Sequence, residues 1–468
     1  VTEMGEAYPD LTTAQPNIEK VIAKEERQFV KTLDQGMRIL EQDLAKLSGN
    51  TIGGETIFKL YDTYGFPVDL TGDIARERNL EMDIEGFESS MEQQRLRARS
   101  ASSFGVDYSL KLELDGQTNF EGYNTLTQTG TVMALIVDGE PCTKVSESGK
   151  VQLVLDSTSF YAESGGQTGD LGIIEWQGGS IKVIDTVKQG QHFLHDGELV
   201  SGELSVGDEV KTIVDSVSRG DSAKNHSATH LLHEAMRRVL GDHVTQKGSL
   251  VNPERLRFDF SHPEPVTGDQ LAAIESIVNQ EIRDNTLVGA ETMAIDDAKA
   301  AGAMALFGEK YGDDVRVLSM GEEGFSVELC GGTHVSRTGD IGLLRIASES
   351  GVAAGVRRIE ALTGEFALSA FDRADAQVAQ VIQLLKANRE NVADKLTQLV
   401  SNHRQLEKDI AVLKTQLASA SGGDMLGDAI DVDGIKVLAV NLGDVDAKSL
   451  RDTADQLKNK LGTAVVLL

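Results

Sequence analysis

The stretch HSATHLLH, residues 226–233, decides how the central part of this chain folds and what chemistry it can carry. It lies in a strongly helical pattern that predicts a helix over 222–240, so His226 and His230, four residues apart, project from one face. His233 falls on that face as well, and spacing alone does not decide which two imidazoles would share an ion. An isolated pair of this kind usually belongs to a polar helix face, so a metal site needs further ligands.

Further ligands come from the sequence CGGTH, residues 330–334. Cys330 is one of only two cysteines in the chain, and His334 stands four residues after it. A lone cysteine is usually a small buried hydrophobe, but the paired glycines let the backbone bend so that Cys330 and His334 can reach one ion. Zinc prefers nitrogen and sulfur donors in a tetrahedral array, so the combination predicts a zinc site formed by His226, His230, Cys330 and His334.

Other catalytic patterns do not fit the chain. A metalloprotease helix carries Glu directly after its first histidine, where this sequence has Ser227. The sequence contains neither a Gly-x-Ser-x-Gly nucleophile elbow nor a P-loop. The glycine-rich stretch FYAESGGQTG, residues 160–169, matches neither the phosphate-binding nor the dinucleotide-binding pattern, and by itself predicts a tight loop.

Length and charge bound the possible functions. The 468 residues suggest about three or four folding units. The net charge of −29 argues against indiscriminate adhesion to nucleic acid, although specific binding of a nucleic acid needs only local basic patches. Two cysteines far apart in sequence fit a reducing cytoplasm and no disulfide framework.

No apolar stretch reaches the roughly 18 residues of a membrane span, and the N-terminus lacks a secretory signal pattern, so we expect a cytoplasmic protein.

Changes in residue composition and apolar periodicity along the chain predict a multidomain α+β protein. The predicted parts are a helical segment over 1–105 with a helix at 17–48, a small β-barrel over 106–215, an α+β zinc-containing domain over 216–365, a long coiled-coil helix over 366–420, and a partial, small α/β tail over 421–468.

The coiled-coil prediction rests on apolar residues between Phe371 and Leu417, which alternate in steps of three and four. Arg389 and His403 occupy the same seam and would weaken or specify it. The pattern indicates a homo-oligomer or an antiparallel helical arm. The alternative is a long helix packed on its own domain.

The predicted zinc site resembles a known editing domain. HSATHLLH and CGGTH together resemble the domain shared by alanyl-tRNA synthetases, free-standing alanyl editing proteins and, more distantly, threonyl-tRNA synthetases. Three further stretches favour the alanyl enzyme, a class II synthetase. LYDTYGFPVDLT at 60–71 is similar to its helical tRNA-recognition segment, FYAESGGQ at 160–167 to its editing-barrel loop, and GVAAGVRRIE at 351–360 to the end of its editing core. The coiled coil and the strand–helix–strand pattern at the end resemble the start of its C-terminal module.

The resemblance implies a parent enzyme that attaches alanine to its tRNA with ATP, and a portion here that binds tRNA(Ala) and hydrolyses mischarged Ser- and Gly-tRNA(Ala) at a Zn²⁺ site. A second site is needed because the missing methyl of glycine costs only about 1–3 kcal/mol of discrimination, and an apolar pocket rejects the serine hydroxyl weakly. The class II core, with its ATP and Mg²⁺, would precede residue 1, so we expect no ligase activity from this portion alone. The C-terminal module is expected to be incomplete as well.

Residue roles follow as expectations. Whether the zinc is catalytic or structural stays open, because a catalytic zinc usually has three protein ligands and one open position. Thr229, Gln246 and Ser249 lie near the metal residues in sequence and are expected to meet the serine hydroxyl. The expected contacts to the tRNA backbone are Arg95, Arg97, Arg99, Arg357 and Arg358.

Three alternatives remain at this stage. A free-standing trans-editing deacylase is disfavoured by the recognition-like helices before residue 106. A threonyl-type editing domain is disfavoured by the 60–71 segment. A non-catalytic fragment for tRNA binding and dimerisation, with structural zinc, belongs to a different class of function and is distinguished by an activity assay.

Overall fold

The chain folds into two units, Val1–Ser369 and Ala370–Leu468. A computed structural model describes residues 2–47, 49–101, 114–304, 312–441 and 447–467. Within those ranges, no helix has the length and apolar character needed to cross a membrane. The predicted boundary between residues 105 and 106 lies outside the described residues.

The first unit begins with a helical region. Its elements are α1 (Asp10–Leu44), β1 (Thr51–Ile52), α2 (Gly54–Asp62), α3 (Val68–Glu77), β2 (Glu81–Met82) and α4 (Ile84–Ala101). The helix predicted over 17–48 is present as α1, which both starts earlier and ends earlier, at Leu44. Leu40, Ile57, Leu60 and Phe66 are buried together at its centre. Asp83 accepts the N–H groups of Gly86 at 2.9 Å and Gly54 at 3.2 Å, and so satisfies donors at the starts of α4 and α2.

A small barrel follows, as predicted. Its strands are β3 (Asn119–Phe120), β4 (Thr127–Val137), β5 (Glu140–Cys142), β6 (Lys144–Val145), β7 (Gly149–Leu155), β8 (Ser157–Thr158), β9 (Gly172–Trp176), β10 (Gly179–Gln189), β11 (His192–Ser201), β12 (Leu204–Ser205) and β13 (Glu209–Val214). Six of them close in the order β13–β9–β10–β11–β7–β4, with β4 pairing back to β13 and β5 extending from β4. Alternate side chains such as Leu153, Ile174 and Ile181 fill the interior, because successive strand residues point to opposite faces.

The α+β region contains the central helix of the first unit. Its elements are α5 (Ser216–Leu240), β14 (Gln246–Val251), β15 (Leu256–Ser261), α6 (Gly268–Asp284), β16 (Gly289–Ala294), α7 (Ile295–Ala300), β17 (Asp314–Met320), β18 (Ser326–Leu329), a 3₁₀ turn (Thr338–Ile341), β19 (Leu344–Ala353) and β20 (Val356–Thr363). Two antiparallel sheets form in the orders β14–β15–β20–β19 and β16–β17–β18. Asp215 caps α5 by accepting from Val217 N at 3.0 Å and Ser218 N at 2.9 Å.

Helix α5 is buried on all sides, so its polar side chains, three histidines among them, lie inside the protein. Every residue from 225 to 233 is buried. Ala228, Leu231 and Leu232 pack in the hydrophobic core of this region, whereas the histidines lie on the side that faces the loop after β18. A helix buried all round keeps histidines only when each has a partner.

The barrel reaches the α+β region through the glycine-rich loop between β8 and β9. Gly166 O accepts from Val251 N at 2.7 Å, and Thr168 N donates to Val251 O at 2.9 Å, so the loop pairs with the end of β14. Gly166 has φ +85°, and a Cβ there would lie 2.6 Å from Ser249 O. Only glycine permits this approach.

The second unit corrects the prediction of one long coiled-coil helix. Two helices, α8 (Gly364–Leu384) and α9 (Val392–Asp424), are separated by the segment 385–391. Asn388 Oδ1 accepts from Glu390 N and Asn391 N at 3.1 and 2.9 Å, which gives this backbone an alternative to helical bonding. Arg389 leaves the predicted seam and pairs with Asp375 at 2.7 Å. The side chain of Leu417, the last seam residue, lies outside the described residues.

The predicted α/β tail is present. It consists of a 3₁₀ turn (Met425–Asp428), β21 (Ile430–Val432), β22 (Ile435–Ala439), α10 (Ala447–Leu461) and β23 (Ala464–Leu467). β22 pairs with β21 antiparallel and with β23 parallel, and α10 supplies the crossover between the parallel strands. Leu438, Leu457 and Leu461 form its core.

Candidate metal centre

Four side chains from α5 and the loop after β18 converge below the barrel loop. The ligand atoms of His226, His230, Cys330 and His334 all lie within 4.8 Å of one another. Cys330 Sγ lies 3.4 Å from His226 Nε2 and 3.3 Å from His334 Nε2. Gly332 makes this closure possible, since a Cβ there would lie 2.1 Å from His226 Cε1. The group could bind a metal ion.

Glu328, on β18, orients two histidines at once. Its Oε2 accepts from His230 Nδ1 at 2.7 Å, and its Oε1 accepts from His233 Nδ1 at 3.0 Å. Because a carboxylate only accepts, both imidazoles carry their proton on Nδ1. Burial raises the pKa of Glu328, but the charges and hydrogen bonds of the two histidines outweigh burial and lower it to about 2. His233 is therefore a support for Glu328 and is not one of the four clustered residues.

His230 contributes its Nε2 to the cluster, since its Nδ1 is bonded to Glu328. This Nε2 atom is buried and has no hydrogen-bond partner among the described residues. His233 Nε2, which lies outside the cluster, has no such partner either. A buried imidazole nitrogen without a partner is costly, and for His230 Nε2 a metal ion bound by the four clustered residues would be that partner. Ser227 supports another histidine of the cluster. Its Oγ accepts from Val335 N at 3.1 Å and lies 3.1 Å from His334 Nδ1, so the other ring nitrogen of His334, Nε2, is the one that faces Cys330.

The thiol of Cys330 is held as a ligand would be. Burial raises its pKa, but the facing imidazoles of His226, His334 and His230 outweigh burial and hold the pKa well below the usual value. The thiolate is the form that binds metal ions.

A cleft of about 440 Å³ opens directly on the cluster. Its lining includes Thr229, Gln246 and Ser249, together with His226, His230 and Cys330. The sequence-predicted polar residues are thus brought next to the predicted ligands. Thr229 Oγ1 donates to Asn225 O at 2.8 Å, so its lone pairs remain as acceptors.

An aromatic and cationic wall, which the sequence reasoning missed, holds the backbone of the CGGTH loop. Tyr123 Oη donates to Gly331 O at 2.6 Å. Arg316 donates to Cys330 O and Gly332 O, each at 3.0 Å, and its guanidinium lies 4.2 Å over the Tyr123 ring. Phe120 contacts Tyr123 edge-to-face at 4.8 Å. No local pattern marks these residues, because their partners lie far away in sequence.

The arginines predicted to bind tRNA fall into two groups. Arg95 and Arg97 are exposed on α4, and Arg99 has a side chain outside the described residues. Arg357 instead pairs with Glu349 at 2.6 and 2.7 Å, and Arg358 pairs with Asp259 at 2.6 and 2.8 Å. A role for any of them in tRNA binding stays a prediction.

Comparisons with known families agree with the resemblance in the sequence. The family described as "tRNA synthetases class II (A)" matches residues 1–218, across the helical region and the barrel. The family described as "Threonyl and Alanyl tRNA synthetase second additional domain" matches residues 315–360, which include Cys330 and His334.

Curated relatives match the chain from end to end. "Alanine--tRNA ligase" of Saccharophagus degradans is 57% identical over 468 residues, covering 100% of this chain and 53% of the relative. The enzymes of the same name from Pseudomonas fluorescens and Pseudomonas syringae pv. tomato are 56% and 57% identical over the same length, again covering 53% of each relative. The chain therefore spans about half the length of the curated relatives it matches.

Proposed function

We propose that this chain, a member of the alanine–tRNA ligase family that spans about half the length of its relatives, hydrolyses Ser- and Gly-tRNA(Ala) in the cleft beside the His–Cys cluster. The parent enzyme attaches alanine to tRNA(Ala) with ATP and Mg²⁺. This portion removes wrongly attached serine and glycine. Its place of action is the cytoplasm, where tRNA is charged.

We propose Zn²⁺ as the metal, held by His226, His230, Cys330 and His334. Three nitrogen donors and one thiolate match its preference for N and S ligands, and the partnerless His230 Nε2 supports a resident ion. When bound, zinc supplies a positive charge that organises the cleft. Four protein donors fill the tetrahedral coordination of zinc, as in structural sites. We therefore favour a zinc that shapes the cleft over a zinc that activates the attacking water.

The polar residues of the cleft supply selectivity. Thr229 offers an acceptor to the serine hydroxyl, because its own proton is engaged by Asn225 O. Gln246 and Ser249, on β14, face the same space. Water adds to the ester carbonyl, the bond to the ribose oxygen breaks, and free serine and uncharged tRNA leave. This hydrogen bond favours serine over alanine, which lacks the hydroxyl; glycine lacks it as well and differs from alanine by its missing methyl instead.

The observation that carries the proposal is the shared location of metal ligands and polar residues. A purely structural zinc needs no cleft, yet this cluster forms one wall of a space that also holds Thr229 and Gln246.

Partners follow from the family and from exposed surfaces. The tRNA is bound by local basic residues, with Arg95, Arg97 and Arg99 on α4 as the proposed contacts. A homo-oligomer is proposed through α9, where Leu399, Leu406 and Leu413 are 54%, 58% and 61% exposed. Isolated apolar residues on a surface are ordinary, but a row at heptad spacing is typical of a helix that packs on another.

The test is deacylation of tRNA(Ala) charged with serine, glycine or alanine, for the wild-type chain and for Cys330→Ala, with Cys142→Ala as the matched control. We expect loss of serine and glycine, no loss of alanine, abolition in Cys330→Ala and no change in Cys142→Ala. Zinc binding without hydrolysis of any of the three charged tRNAs would assign the chain to non-catalytic tRNA binding.

A further inference from the structure

We infer that Gln167, in the barrel loop, is a positioning residue for the metal centre that holds His226 with Nε2 directed at the ion. The inference rests on the metal site of the proposed function. Gln167 is not a ligand and acts through His226.

The hydrogen bonds of the Gln167 amide define the proton position on His226. Oε1 lies 3.0 Å from Thr333 N and 2.7 Å from His226 Nδ1, and Nε2 donates to Thr333 Oγ1 at 2.8 Å. A backbone N–H can only donate, so the atom that faces it must be the amide oxygen. His226 Nδ1 must then donate to the same oxygen. The lone pair of His226 is left on Nε2, the nitrogen beside Cys330.

Gln167 is itself held rigidly. Its side chain is 0% exposed, and its backbone bonds with Ser164 in both directions, at 3.0 and 3.2 Å. The adjoining Gly166 and Thr168 pair with Val251 of β14. The amide therefore has little freedom to follow a different ring orientation.

This support differs in origin from that of the other ligands. His230 is held by Glu328 and His334 by Ser227, both from the α+β region. His226 is held from the barrel, across 59 positions of sequence. The barrel loop thus controls how well the α+β region retains its metal, because outer partners of ligating histidines set ring orientation and basicity.

The experiment compares zinc affinity among wild-type chain, Gln167→Met, Gln167→Glu and the matched control Gln152→Met. Gln152, on β7, donates to Asp196 at 2.6 Å and lies outside the cleft lining. Affinity is measured by competition with a chromogenic chelator after metal removal. We expect Gln167→Met to bind zinc about 10–100-fold more weakly. Gln167→Glu should retain most of the affinity, since a carboxylate accepts from both N–H groups, and Gln152→Met should match wild type.

A second readout separates positioning from packing. Cobalt substituted for zinc gives a thiolate–metal absorption band, and the negative partner in Gln167→Glu should shift that spectrum while Gln152→Met leaves it unchanged. Equal loss of affinity in Gln167→Met and Gln167→Glu, or a wild-type affinity in Gln167→Met, would overturn the inference. A wild-type chain that binds no zinc would instead overturn the proposed metal site itself. Fluorescence of Trp176, the single tryptophan, verifies that each variant barrel is folded.

Discussion

The carboxylate of Glu328 lies 2.7 Å from His230 Nδ1, on the side of the ring that faces away from the ligand cluster. The same carboxylate holds His233, so three buried residues form one hydrogen-bonded set behind a single ligand. A histidine with its Nδ1 proton on a carboxylate is a more basic and better oriented metal ligand.

We expect Glu328→Gln to weaken zinc binding about 10–100-fold. The glutamine amide has only one acceptor oxygen, so its NH2 group must face one of the two Nδ1–H groups, where two donors meet without an acceptor. Chelator competition measures the change. Glu291→Gln, at an exposed position on β16 of the same sheet, is the control and should bind as wild type does. Equal affinities for Glu328→Gln and wild type would remove Glu328 from the metal centre.

Much of the site follows from sequence because its ligands keep helical and tight-loop spacing. His226 and His230 share a face of α5, and the glycines of CGGTH allow Cys330 and His334 to meet them. The roles of Gln167, Ser227 and Tyr123 were missed, since their partners lie 59, 107 and 208 positions away in sequence, where no spacing rule applies. Glu328 carried a readable signal: it is a charged residue in the apolar strand SVEL, two positions before Cys330 and so on the same side of an extended chain.

The break between α8 and α9 marks a different limit of pattern reading. The seam positions keep their three–four spacing across 385–391, where Leu385 and Val392 flank Arg389, so periodicity alone predicts one helix. Lys386 has φ +47°, and Asn388 and Asn391 bond to nearby backbone N–H groups. Hydrogen bonds from the local asparagines to the backbone therefore separate the two helices here, whereas apolar spacing predicts only which face of a helix is buried.

The buried ion pair of Arg219 and Asp170 joins α5 to the barrel. The side chains are 7% and 5% exposed, and Arg219 also donates to Gly122 O at 2.7 Å and Ser159 O at 2.8 Å. Arg219→Met leaves Asp170 buried and unpaired, which should cost about 3–5 kcal/mol of unfolding free energy. Urea unfolding followed by Trp176 fluorescence measures the change.

The matching surface pair supplies the control for that ion pair. Lys211 and Glu175 lie 3.3 Å apart and are 52% and 46% exposed, so Lys211→Met should change the unfolding free energy by less than about 1 kcal/mol. Adding Asp170→Asn to Arg219→Met should recover part of the loss. Equal effects at the two pairs would show that burial does not matter here.

His195, at the centre of the barrel, should make barrel stability depend on pH. Burial lowers its pKa from the ordinary 6.5 to about 4, although its bond to Leu153 O opposes the shift. Below pH 6.5 the unfolded chain takes up a proton that the folded barrel excludes, so stability present above pH 6.5 is lost as pH falls toward 4. The loss reaches about 3 kcal/mol at about 1.4 kcal/mol per pKa unit.

The Trp176 unfolding transition, repeated across this pH range, tests the role of His195. His195→Gln should flatten the pH dependence even where it lowers stability at neutral pH. His403→Gln, on the exposed part of α9, should leave the dependence unchanged. A curve for His195→Gln that parallels wild type would assign the titration to other groups.

The two groups of arginines should respond differently to neutralisation. Arg95→Gln with Arg97→Gln removes exposed charge from α4, so the slope of log affinity for tRNA against log salt should fall by roughly one for each phosphate that these side chains neutralise. Arg357→Gln removes a side chain bonded to Glu349 and should chiefly lower stability. An unchanged slope in the α4 variant would exclude those arginines from tRNA binding. A reduced slope in Arg357→Gln at unchanged stability would place Arg357 on the tRNA.

Thr229→Val tests which group recognises the serine hydroxyl. The substitution keeps the shape of the side chain and removes a hydroxyl from a residue of the cleft lining, so hydrolysis of Ser-tRNA(Ala) should fall by roughly 10-fold or more. The glycyl group of Gly-tRNA(Ala) has no side-chain hydroxyl, so hydrolysis of this substrate should change little, and it serves as the internal control. The ratio of the two rates is the quantity to measure, with zinc content verified for each preparation. Equal losses for both substrates would mean that Thr229 only supports α5, and unchanged rates for both would assign recognition of the serine hydroxyl to Gln246 or Ser249.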